Sequence, residues 1–89
     1  MNTHPNKDEE NKQHGDTLIG EAIISINKDE NHTTVRWRGG RLHYDGITNL
    51  FLLQVKAAHD GYSFGNIEPY SLYRNGLYRT NIYKRAPRQ

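Results

Sequence analysis

Tyr70-Ser71-Leu72-Tyr73-Arg74-Asn75-Gly76-Leu77-Tyr78-Arg79-Thr80-Asn81-Ile82-Tyr83-Lys84-Arg85 is the stretch on which the reading of this chain turns. Asn75-Gly76 between two aromatic-rich runs signals a β-hairpin, because a two-residue type I′ loop takes positive φ at both central positions. Such a loop sets the register: Arg74 opposite Leu77, Tyr73 opposite Tyr78, Leu72 opposite Arg79 and Ser71 opposite Thr80. One face then carries Ser71, Tyr73, Tyr78, Thr80 and Ile82. The other carries Tyr70, Leu72, Arg74, Leu77, Arg79, Asn81 and Tyr83. At a left-handed Gly76, a β-branched replacement is costly and Asn is milder.

Upstream of the hairpin, residues 61–69 contain Gly61, Gly65 and Pro69 and read as loop, with Tyr62 and Phe64 as anchors to the core. Before it, Ile47 to Ala58 is rich in apolar residues at two superposed helical spacings. Phe51, Val55 and Ala58 form one row; Leu50, Leu53 and Ala57 form another. Thr48 is placed to cap a helix beginning at Asn49, and Gly61 to end it in a left-handed conformation. A strand from Ile47 through Val55 is the rival reading, disfavoured because Ala57 and Ala58 are poor strand residues.

Residues 17–44 read as three consecutive antiparallel strands. Leu18, Ala22, Ile24 and Ile26 alternate with Ile19, Glu21, Ile23 and Ser25, and a polar turn follows at Asn27 to Asn31. From His32 to Arg38, Thr33, Val35 and Trp37 share one face, with Thr34, Arg36 and Arg38 opposite. Gly39-Gly40 turns the chain into a third strand, Arg41 to Tyr44. Residues 1–16 lack any large apolar side chain after Met1, so they are expected to be a disordered polar tail in which His4 and His14 are solvated. Residues 17–85 form the single domain, and 86–89 a frayed end.

The 89 residues bound a small core. Cysteine is absent, which excludes disulfides and thiolate metal sites and fits a reducing, cytoplasmic location. No apolar run approaches the ~18 residues of a membrane span, so no membrane partner is expected. Charge is unevenly placed. Residues 1–35 hold three basic side chains against seven acids, net −4; residues 36–89 hold nine against three, net +6. This asymmetry permits a nucleic-acid or acidic-protein partner for the second half; the alternative is a solvated surface with an acidic tail folded near a basic one.

The sequence carries no catalytic constellation. His43 near Asp45 and His59 beside Asp60 are its acid–imidazole groupings outside the tail, but no HExxH spacing or phosphate-binding glycine loop accompanies them. They are read as surface or structural residues, with no cofactor and no metal site expected. The aromatic signature of RNA-recognition domains, the KH-domain loop and zinc-finger ligands are likewise absent.

These observations give an α+β expectation: a mainly antiparallel sheet of about five strands with one helix on one face. The expected function is non-enzymatic binding of nucleic acid. Arg36, Arg38, Arg74, Arg79, Lys84 and Arg85 would contact phosphates, with Tyr70 and Tyr83 as stacking groups. A protein-binding adaptor or inhibitor using the same surface is the alternative, and homo-oligomerisation through an edge strand a third possibility.

Overall fold

Alternating apolar residues and a short helix produce an antiparallel sheet of five strands in a row plus a two-residue sixth, curled around one helix, in the computed structural model, which describes residues 15–86. Most of the expected tail, and residues 87–89, lie outside the described residues. The strands are β1 Thr17–Asn27, β2 His32–Trp37, β3 Gly40–Asp45, β4 Tyr62–Phe64, β5 Glu68–Pro69 and β6 Leu77–Lys84, with helix α1 Leu50–His59 between β3 and β4. Their order is β3-β2-β1-β6-β4, and the two-residue β5 pairs with β6 as well. All pairings are antiparallel. The first and last long strands, β1 and β6, therefore lie side by side at the centre.

Cross-strand register builds the core. Ile24 lies between Val35 and Tyr78, and Ala22 lies between Trp37 and Thr80. Ile24, Val35, Ile82 and Leu53 are fully buried. Burial of side chains of this size stabilises by about 1.5–3 kcal/mol each. Buried hydroxyls are satisfied: Thr33 donates to the Ile47 carbonyl and Thr80 to the Asn81 carbonyl. Trp37 on β2 meets Tyr62 on β4 with ring centroids 5.6 Å apart. Three strand spacings separate β2 from β4, about 14 Å in a flat sheet. Curvature toward the helix brings the rings together, so the helix side is concave and the other side convex.

The helix reading holds, with its start shifted by one residue. Asn49, not Thr48, is the cap, and its side chain accepts from the Leu52 amide at 2.8 Å. Gly61, at φ +95°, ends the helix in the left-handed region. Of the two apolar rows, Leu53 and Ala57 are buried, whereas Phe51 is 72% exposed and Val55 is also exposed. Asp60, at the C-terminal cap, accepts a 2.7 Å hydrogen bond from the buried Tyr44 hydroxyl, tying edge strand β3 to the helix. Burial, then the bond to and charge of Asp60, push the Tyr44 phenol well above its ordinary range.

Four local expectations are corrected. The tight Asn-Gly hairpin does not form: Glu68 pairs with Arg79 and Pro69 with Tyr78, leaving 70–76 as a long loop. Gly76 has the expected positive φ, +83°, but Asn75 does not, so the turn is not type I′. The preferred partner for Gly76 is β1, since its carbonyl accepts from the Ile26 amide at 2.7 Å. The register differs by four residues, an even shift, so β6 keeps its predicted faces while every predicted pair changes.

In the second correction, Tyr62–Phe64 is strand rather than loop, although both aromatics pack against the core as expected. Third, the β2–β3 turn is Arg38-Gly39, and Gly40 opens β3 beneath the Trp37 indole. Finally, a register shift between Leu18 and Gly20 exchanges two side chains. Ile19 packs against the core, and Leu18 is 56% exposed on the opposite face. Order also reaches back to Asp16, whose carboxylate accepts from the Ser63 hydroxyl at 3.3 Å and the Ala86 amide at 3.0 Å.

Candidate nucleic-acid interface

Period-two alternation sends every second residue away from the helix, and on that convex face the register aligns three arginines. Arg41 of β3 pairs with Arg36 of β2, Arg36 with Ile23 of β1, and Ile23 with Arg79 of β6. Glu68 of β5 ends the row opposite Arg79. Arg36, Arg41 and Arg79 are all exposed, and Ile23 is a half-buried apolar step between them. The Arg79 guanidinium lies 3.9 Å from the Glu68 carboxylate, with both side chains more than half exposed. An exposed pair at that distance contributes little stability and leaves the arginine able to exchange partners.

The residues expected to bind nucleic acid are only partly brought together. Arg36 and Arg79 stand one strand apart. Arg38 is exposed in the turn just beyond Trp37, past the end of the strand. Lys84 belongs to the concave side: its ammonium sits 4.5 Å from the Tyr62 ring centroid in a cation–π contact. Arg85 is half-buried beyond β6, where its amide donates to the Gly61 carbonyl at 2.8 Å.

Arg74 is exposed in the long loop. Together with Lys28, Thr48, Asn49 and Asn75 it lines an open cleft of about 830 Å³ at the start of the helix, away from the arginine row. Tyr70 is 50% exposed, with its amide bonded to the Leu77 carbonyl at 2.9 Å. Tyr83 is half-buried on the convex face, opposite Leu18 and Ser63, and its ring runs alongside Gly65.

Arg41 and Ile23 complete the row and were not among the sequence-derived site residues. The alternation of β1, apolar on both faces, was the signal for Ile23. Arg41 lies in a basic run with Arg36 and Arg38, and the β2–β3 register sets it opposite Arg36. A different group stands further along the convex face. His32, His43 and Asp45 each offer a ligand atom, and these atoms lie within 4.8 Å of one another. The other expected acid–imidazole pair separates: His59 closes the helix, exposed, while the Asp60 carboxylate serves Tyr44. Among the described residues no helix is long and apolar enough to cross a membrane. Comparison with protein-family models, curated proteins and solved structures returned no match.

Proposed function

We propose that this protein is a non-enzymatic binder of single-stranded nucleic acid, using the convex sheet face. The observation that supports this most is the cross-strand row Arg41–Arg36–Ile23–Arg79, on a face that no other element among the described residues covers. Guanidinium groups contact phosphates well, and Ile23 offers an apolar step between them. Tyr83 and Leu18, paired toward one end of the same face, are the candidates for contact with a base. Among the described residues no helix or ribbon stands proud of this face to enter a duplex groove, which favours a single strand over duplex DNA. The non-enzymatic reading is supported by the exposure of His43 and Asp45, 41% and 87%, on an open sheet rather than in a cleft.

The test is fluorescence anisotropy with labelled single- and double-stranded oligonucleotides at several salt concentrations. Replacing Arg36, Arg41 and Arg79 together with Gln is expected to weaken binding across unrelated sequences. It should also make the log–log salt slope shallower by up to about 2 units, near 0.7 per lost contact on a single strand. The Lys84→Gln variant should change the slope little, because Lys84 lies on the other side. Absence of binding by the unmodified protein at low salt would reject the proposal.

A protein partner is the second reading, and a different observation favours it. Phe51 is 72% exposed, and Leu72 and Tyr73 of the long loop are each 91% exposed. Large apolar side chains left in water are typical anchors of a protein interface. Self-association through the outer edge of β3 is a variant of that reading, and it would appear as a concentration-dependent mass in sedimentation.

A further inference from the structure

The cluster at the other end of the convex face has a donor set of its own. His32 and Asp45 are direct cross-strand partners, and His43 precedes Asp45 by two residues, so all three project from one face. His43 Nε2 lies 3.0 Å from Asp45 Oδ1, and the two imidazole centroids are 4.8 Å apart. Glu30, from the turn between β1 and β2, brings Oε1 to 4.0 Å from His32 Nε2. We propose that His32, His43 and Asp45 form a binding site for a single divalent transition-metal ion such as Zn²⁺, with Glu30 or water in the fourth position.

Donor chemistry selects the ion class. Two imidazoles and a carboxylate suit Zn²⁺, Cu²⁺ or Ni²⁺, whereas Ca²⁺ and Mg²⁺ prefer oxygen ligands alone. With ligand bonds of about 2.0–2.2 Å, the donor atoms of a tetrahedral site stand roughly 3.3 Å apart. The His43–Asp45 edge, at 3.0 Å, is already close to that length. The remaining edges, at most 4.8 Å, close by side-chain rotation, to which the exposed His43 and Asp45 offer little resistance.

The backbone holds the ligands in place before any ion arrives. Asn31 sits at φ 58°, and its carbonyl accepts from the Gly46 amide at 2.7 Å. That bond fastens the turn bearing Glu30 to the exit of β3 beside Asp45. The Thr34 hydroxyl lies 3.4 Å from His43 Nδ1, where it can accept a hydrogen bond from Nδ1–H and leave Nε2 to the metal. A plain His–Asp surface pair accounts for the 3.0 Å contact. It does not account for a second imidazole converging on the same point, nor for the Glu30 carboxylate 4.0 Å from that imidazole's Nε2.

The test is isothermal titration of the full chain with Zn²⁺ alone, in parallel with a His4→Ala/His14→Ala variant that removes the tail imidazoles. Both proteins are expected to bind one ion per chain at the same site. His43→Ala, His32→Gln and Asp45→Asn should each weaken that binding more than ~100-fold, beyond the roughly 10–100-fold that loss of an outer partner costs, with the circular dichroism spectrum unchanged. Should the half-buried His32 not tolerate replacement, His43→Ala and ¹⁵N spectra of the unmodified protein decide the matter. Zn²⁺ should shift the ring nitrogens of His32 and His43 and leave those of His59 in place. The proposal is overturned by undiminished binding in His43→Ala, by binding lost only with His4 and His14, or by no heat at millimolar Zn²⁺. Half an ion per chain with dimerisation would likewise overturn a site within one chain.

Discussion

Gly76 lies where two independent constraints exclude a side chain. Its φ of +83° is in the left-handed region, and a Cβ added there would sit 2.6 Å from the Ile26 carbonyl oxygen. Backbone strain alone costs roughly 1–3 kcal/mol, and the contact with a fixed strand carbonyl adds to it. Asn tolerates positive φ but carries the same Cβ, so the conformational preference that makes it milder in a free turn gives little relief here. Gly76→Ala and Gly76→Asn are therefore expected to lower stability to a similar extent, each by at least ~1 kcal/mol in urea unfolding. A near-neutral Asn variant would show that the loop moves away from β1. The expectation that Asn is gentle rests on the turn alone, and the approach of Ile26 from a strand far away in sequence cancels it.

At the level of elements, the helix separates two apolar rows that share one spacing. Leu53 is fully buried and Phe51 is 72% exposed. Leu53→Ala is expected to cost about 2–5 kcal/mol, and Phe51→Ser less than ~0.5 kcal/mol, by chemical denaturation. The reverse order would mean that the helix presents its other face to the sheet. Periodicity could locate this helix but not orient it, because Phe51, Val55 and Ala58 are as apolar as Leu50, Leu53 and Ala57. Alternation identified β1, β2 and β3 and the faces of β6, since a half-buried strand declares its own two sides. It could not place β4, which is three residues long, or the shift at Leu18, where one extra residue exchanges the faces. The candidate interface divides the same way. The sides taken by Arg36 and Arg79 follow from their own strands. Their closeness depends on β1 pairing with both β2 and β6, a long-range fact that no local pattern encodes.

Across the whole molecule, the sheet separates a concave side closed by the helix from a convex side carrying the arginine row. The Tyr44–Asp60 bond helps to close the concave side, and it couples stability to pH. The folded state raises the phenol above its ordinary value of 10.0, so it holds that proton more tightly than the unfolded chain does. The resulting stabilisation is complete below about pH 10 and declines as pH rises beyond it. Tyr44→Phe should cost roughly 1 kcal/mol at neutral pH through the lost hydrogen bond, and should give a shallower loss of stability above about pH 10. Urea midpoints measured across that range check both; an unchanged alkaline slope would assign the titration to another group. The central pairing of β1 with β6 bears on a different moment in the life of the protein. Among the described strands it joins the one synthesised first with the one synthesised last. A nascent chain carries β1 with one edge unpaired, and Ala22 and Ile24 without Tyr78, Thr80 and Ile82, until translation has passed Lys84. β1 gains this partner only as β6 clears the ribosome, and until then the growing polypeptide presents an open strand edge to its neighbours.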